Sequence, residues 1–192
     1  MKPNRMEAFS DGVLAIIITI MVLEFKIPEG NDWHSLVSLG PKILSYIFSF
    51  VYVGIYWNNH HHLLHMIRKM NGRLIWLNLI LLFWLSLVPF TTAWMGESHF
   101  APAPMALYGI ILLLAATSYR QVQLAIISQH SNDSSFVTSM GKDLKVKISP
   151  FLYLLAILTA YVSPWLSGFF YVLVAAIWFV PEKRIEHILS NQ

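Results

Sequence analysis

The sequence predicts an all-α, polytopic membrane protein, and three observations carry that prediction. Of its 192 residues, 56% are hydrophobic and only 12% charged, where a soluble globular chain carries about 25% charged residues. The apolar residues gather into six stretches, approximately 7–25, 41–62, 72–95, 104–127, 146–163 and 164–181. A helix needs ~20 residues to cross a ~30 Å hydrocarbon core, and all but the last two stretches reach that comfortably. Charge is sorted by side. With alternating spans, all but two of the 13 Lys and Arg residues fall with the N-terminus, and only Lys26 and Lys42 fall opposite. That bias places the N- and C-termini in the cytoplasm, in a cell membrane.

Each stretch has its own punctuation. Lys26–Gly40, with Pro28, Gly30 and Asn31, breaks the first from the second; Asn71-Gly72 marks the next junction, and Gly96 to Pro104 the third. Gln129–Lys145, rich in Ser, Asn and Asp, reads as a solvated loop. Ser163-Pro164 is a tight turn with Pro opening the last helix. No internal duplication is visible, so residues 1–192 form a single six-helix domain. The first stretch is too long for a signal-peptide apolar region and lacks a small-residue cleavage site, so it stays in the mature protein.

Composition also excludes functions. There is no Cys, hence no disulfide or thiolate metal site. The net charge of +3 is spread between apolar segments and forms no basic nucleic-acid face. No Gly-rich phosphate loop, Ser-His-Asp set or paired carboxylates in one segment appears, so no catalytic residues and no enzyme are expected. The outer loops carry Glu29, Asp32 and Glu97, and Glu24 ends the first helix; a mildly acidic outer mouth raises local cation concentration.

The first stretch is the most informative. Between Ala8 and Leu23 the only ionisable side chain is Asp11. An acid there costs roughly 2.5–3.5 kcal/mol on insertion scales and marks a functional or partnered position. At 100° per residue Gly12, Ile16, Ile20 and Leu23 fall within about 40° of one line, with Thr19 on its flank. Ser10 and Asp11 point roughly 120° and 140° away from Ile16. One face is therefore a branched apolar stripe, and another holds polar groups that need partners. Composition alone leaves the stripe as lipid contact or helix packing.

Arg5-x-x-x-Phe9-Ser10-Asp11, followed by Gly12-Val13-x-Ala15-Ile16 and Val22-Leu23-Glu24, resembles the first-helix signature of the transmembrane protein 175 family, potassium-permeable channels of lysosomes and prokaryotes. Trp57-x-x-His60, Leu77-Asn78-Leu79 and Val88-Pro89-Phe90 extend the resemblance through the first half of the chain. The resemblance implies a homotetramer in membrane lipid with the first helix innermost, conducting K+ and other monovalent cations through a central pore; no cofactor is expected. Closed cyclic symmetry suits such a ring. Rings of Ile16, Ile20 and Leu23 would form the constriction, narrowing and dewetting the path so that an ion sheds part of its water. Thr19 would offer hydroxyls to that ion, and Glu24 would sit at the outer mouth. The resemblance also implies a helix-anchoring role for Arg5, Phe9, Ser10, Asp11, Trp57 and His60. Asn78, at similar depth, completes a network able to satisfy buried polar atoms. The Thr-Val-Gly-Tyr-Gly filter of ordinary potassium channels is absent.

Two other readings compete. Asp11 and the cluster His60-His61-His62-Leu-Leu-His65 suit a proton- or cation-coupled secondary transporter. His61 and His65 share a face at i, i+4, as a metal pair does, but His34, His99, His130 and His187 are scattered. No metal site is therefore expected, and pH sensing by the cluster stays open.

Overall fold

Residues 3–28, 30–131, 137–138 and 144–179 are described in the computed structural model of the chain. Lys2, Glu29, Lys142, Lys183, Arg184, His187, much of the Gln129–Lys145 loop and residues 180–181 of the last expected span lie outside them. The regular structure of the described residues is helical, with no strand among them: α1 Pro3–Leu23, α2 Trp33–Val37, α3 Gly40–His65, α4 Gly72–Ser86, α5 Val88–Glu97, α6 Pro102–Ile127, α7 Leu144–Ala160 and α8 Pro164–Phe179. A single 3-10 turn, Ser128–His130, extends α6. Pro3–Leu23, Gly72–Glu97 and Pro102–His130 are each long and apolar enough to cross a membrane. The protein is a multi-pass membrane protein.

The expected spans shift where local chemistry differs from the apolar count. The third span, expected unbroken over 72–95, is two helices hinged at Leu87. Pro89 has no N–H to give to the preceding turn and clashes with its carbonyl. Thr91 and Thr92 then turn their hydroxyls back onto the Val88 carbonyl at 3.1 and 2.8 Å. The second span runs to His65, past the expected end at 62. The fifth stops at Ala160, where Val162 and Ser163 both donate N–H to Thr159 O. Helix α2 was expected as loop. Asp32 caps it, its Oδ1 accepting from the Ser35 hydroxyl at 2.6 Å and amide at 2.9 Å. Those two bonds, the hydroxyl foremost, hold the Asp32 carboxyl below its ordinary pKa.

Links at the two ends fix an up–down order. At one end Glu97, closing α5, pairs with Lys42 at 2.9 Å near the start of α3 and lies 3.9 Å from Lys26 after α1. At the other, Gln129 accepts from the Arg68 and Lys69 amides at 3.2 and 3.0 Å and returns an N–H to Lys69 O at 2.8 Å. The end of α6 is thereby tied to the α3–α4 turn.

The packed centre lies among α3, α6, α7 and α8. Tyr52, Tyr108 and Tyr171 pack edge to face there, with Tyr52 and Tyr108 at 6.2 Å and Tyr108 and Tyr171 at 5.6 Å between ring centroids. Their hydroxyls are occupied: Tyr171 donates to Met105 O at 2.7 Å, and Tyr108 accepts from Ser49 at 3.1 Å. In a medium without water such partners are obligatory. Helix α1 stays outside this centre, packed on α3, α4 and α5.

Candidate functional site on the first helix

Helix α1 buries Met6, Ser10, Leu14, Ile17 and Met21 against its own subunit. These recur at 3.6-residue spacing and form one line. The stripe of Ile16, Ile20 and Leu23 lies roughly 100–120° around the helix from it. Its residues are 58%, 41% and 78% exposed. Only 28% of the apolar window of α1 is buried, against 44% for Gly72–Glu97 and 50% for Pro102–His130. Of these three long helices, α1 is the one least covered by its own subunit. Thr19 is exposed beside the stripe and gives its hydroxyl hydrogen to Ile16 O at 2.9 Å, which leaves the oxygen lone pairs facing outward. A Cβ built on Gly12 would meet nothing within 4 Å. Within the subunit, nothing demands a glycine there.

On the buried side a chain of hydrogen bonds runs from α3 through α4 to α1. His60 Nε2 lies 2.7 Å from Asn78 Oδ1. Asn78 Nδ2 donates to Ser10 Oγ at 2.9 Å, and Ser10 donates to Met6 O at 2.8 Å. Since Asn78 Oδ1 only accepts, His60 carries its proton on Nε2. Its Nδ1 is buried without a partner among the described residues. All three side chains are at most 2% exposed. Each bond therefore forms where the alternative is an unpaired polar atom in an apolar medium.

Asp11 sits beside this chain and accepts from Trp57 Nε1 at 3.0 Å. One turn earlier, Glu7 Oε1 lies 2.8 Å from His61 Nδ1 and 3.3 Å from His65 Nε2. Asp11 to Trp57 and Glu7 to His61 are two rungs of one antiparallel register: a step of four back along α1 matches a step of four forward along α3.

The fold thus brings together Ser10, Asp11, Trp57, His60 and Asn78 from the sequence-derived set. Arg5 and Phe9 are exposed and stand outside these bonds. Their guanidinium and ring project from α1 at positions that the packing of α3 and α4 does not cover. Glu24 is exposed and lines a cleft with Phe90, Ala93, Trp94 and Glu97. Glu7 was missed. Its signal was present in the Glu7/Asp11 spacing, which repeats the Trp57/His61 spacing on α3.

A potassium channel of Chryseobacterium sp. is 52% identical over the full length of both chains. The chain belongs to the TMEM175 family. The model of that family, described as endosomal/lysosomal potassium channel TMEM175, matches residues 5–89, which contain the whole hydrogen-bonded set. A solved TMEM175 homolog from Chamaesiphon minutus, described as a lysosomal potassium-selective channel, superposes with a TM-score of 0.79 at 29% identity. That match covers 92% of this chain and 95% of that one. The human relative, named an endosomal/lysosomal proton channel, is 33% identical over 54% of this chain but only 23% of its own length. The chain therefore matches the Chryseobacterium protein end to end and the human one in part.

Proposed function

We propose that the chain, acting as one domain, is the subunit of a homotetrameric, potassium-permeable cation channel of the cell membrane, with both termini cytoplasmic and α1 lining the pore. The observation that carries this reading is the division of labour on α1. Its polar side is bonded to α3 and α4, while Ile16, Ile20 and Leu23, on another face, are 58%, 41% and 78% exposed among the described residues. Four copies around an axis bring those stripes together as rings of branched methyls. At 21 residues α1 is about 31 Å long, enough to line the hydrocarbon thickness.

Such rings select through hydration. A narrow, dewetted passage makes an ion give up part of its water, and K+ gives up water at lower cost than Na+. Thr19 oxygens repay some of that loss. Ser10, Asp11, Trp57, His60 and Asn78 hold the wall in place and resist rotation of α1 about its axis, while Arg5 and Phe9 flank them on its exposed side. Glu24 gathers cations at the outer mouth, while Glu97 is engaged by Lys42 and Lys26. A transporter working through Asp11 gains no support from the geometry, since Asp11 accepts a hydrogen bond from Trp57 off the stripe.

The test is ion flux in reconstituted vesicles, with K+ and Na+ gradients and a pH-sensitive dye that reports protons, the ion in the human relative's name. Ile16→Asn wets the constriction, raises cation leak and narrows the K+ over Na+ preference. Unchanged flux and preference would remove Ile16 from the gate.

A further inference from the structure

We infer that Glu7, His61 and His65 form a Zn2+-binding site that ties the cytoplasmic end of α1 to the end of α3. The sequence offered two imidazoles at i, i+4 and no third donor, which is why no metal site was expected. The α1–α3 register supplies the third. Oε1 of Glu7, Nδ1 of His61 and Nε2 of His65 all lie within 4.8 Å of one another. The carboxylate oxygen is 2.8 Å from one nitrogen and 3.3 Å from the other.

Zn2+ binds imidazole nitrogen and carboxylate oxygen at about 2.0–2.2 Å, which puts neighbouring ligands of a tetrahedron roughly 3.4 Å apart. Of the Glu7 distances, 3.3 Å to His65 nearly matches that spacing and 2.8 Å to His61 is shorter, so a bound ion needs the His61 ring and the carboxylate to part slightly. The two rings stand nearly perpendicular, at 80° with centroids 4.5 Å apart, so both nitrogens face the carboxylate without ring clash. Two imidazoles and one carboxylate suit Zn2+ and disfavour Mg2+ and Ca2+, which prefer all-oxygen shells. Access suits a bound ion as well. The His61 and His65 side chains are 41% and 46% exposed, so an ion enters from water and keeps a water as fourth ligand, while Glu7, at 18%, is held in place between the helices. His62, next along α3, meets His61 edge to face at 5.6 Å between ring centroids but is not part of the three-donor set.

The site stands on this geometry and not on the channel reading, so its test needs no flux. Tag-free wild-type protein in detergent is titrated with ZnCl2 by calorimetry. One ion per chain is expected, and Glu7→Gln, His61→Ala and His65→Ala each weaken binding about tenfold or more, while His62→Ala leaves it unchanged. Wild-type protein loaded with Co2+ is expected to show the intense visible bands of a four-coordinate ion. That measurement keeps the test open should a variant fail to fold. Absence of stoichiometric Zn2+ binding, affinity untouched by His61→Ala and His65→Ala, or a weak octahedral Co2+ spectrum would each overturn the site.

Discussion

Asn78 is the side chain on which the buried hydrogen bonds of α1 turn, and replacing it by Ala is expected to destabilise the subunit by about 2–4 kcal/mol. It bridges His60 at 2.7 Å and Ser10 at 2.9 Å at 1% exposure. Two interhelical bonds in a membrane protein contribute about 0.6 kcal/mol each on average. To that is added the penalty for the His60 Nε2–H left buried and unpaired, about 1–3 kcal/mol. Ser10 escapes such a penalty because it still donates to Met6 O. His60 has no such escape, since its other nitrogen already lacks a partner among the described residues. The assay is a double-mutant cycle of Asn78→Ala and Ser10→Ala, read from reversible unfolding midpoints in detergent. A coupling of about 0.6–1.7 kcal/mol is expected for the pair. Additivity within about 0.3 kcal/mol, the figure for independent sites, would refute the bond as a stabilising link between α4 and α1.

Two further outcomes follow from the glycines. A Cβ at Gly12 meets nothing inside the subunit, and Ala is the better helix former by about 0.8–1.0 kcal/mol. Gly12→Ala therefore keeps or raises subunit stability in thermal melts. If assembly on size-exclusion chromatography collapses instead, Gly12 faces another copy. Gly96 is the opposite case, since a Cβ there would fall 2.8 Å from the Lys42 Cα and 2.6 Å from Ser45 Oγ. Gly96→Leu is expected to cost about 1–3 kcal/mol, the usual penalty of overpacking, seen as a lowered unfolding midpoint. A neutral result would mean that α3 and α5 separate freely where Gly96 meets Lys42.

Residue chemistry along one strand of sequence settled much of this protein in advance. Long apolar runs set the positions of the spans, because crossing hydrocarbon demands ~20 such residues whatever the neighbours. Rotation of 100° per residue placed Ile16, Ile20 and Leu23 on a face apart from Ser10, because helical geometry is local. The Lys and Arg bias yields only an expected orientation, as each charge is counted in its own loop. Even the helix α2 was readable, had Asp32 and Ser35 been taken as a cap and its partner.

Partnership was decided only in three dimensions. Asp11 announced that it needed a donor, but only the antiparallel register of α1 on α3 gives it Trp57 and gives Glu7 His61 and His65. Asn78 reached Ser10 and His60 because α4 packs against both helices at one depth. The hinge at Leu87 was hidden inside a run that looked continuous, since Pro89 costs little hydropathy while removing a backbone donor. A side chain's need is written in its own chemistry and its turn of helix. The group that meets that need comes from distant residues, and its place depends on how whole helices slide and rotate as they pack.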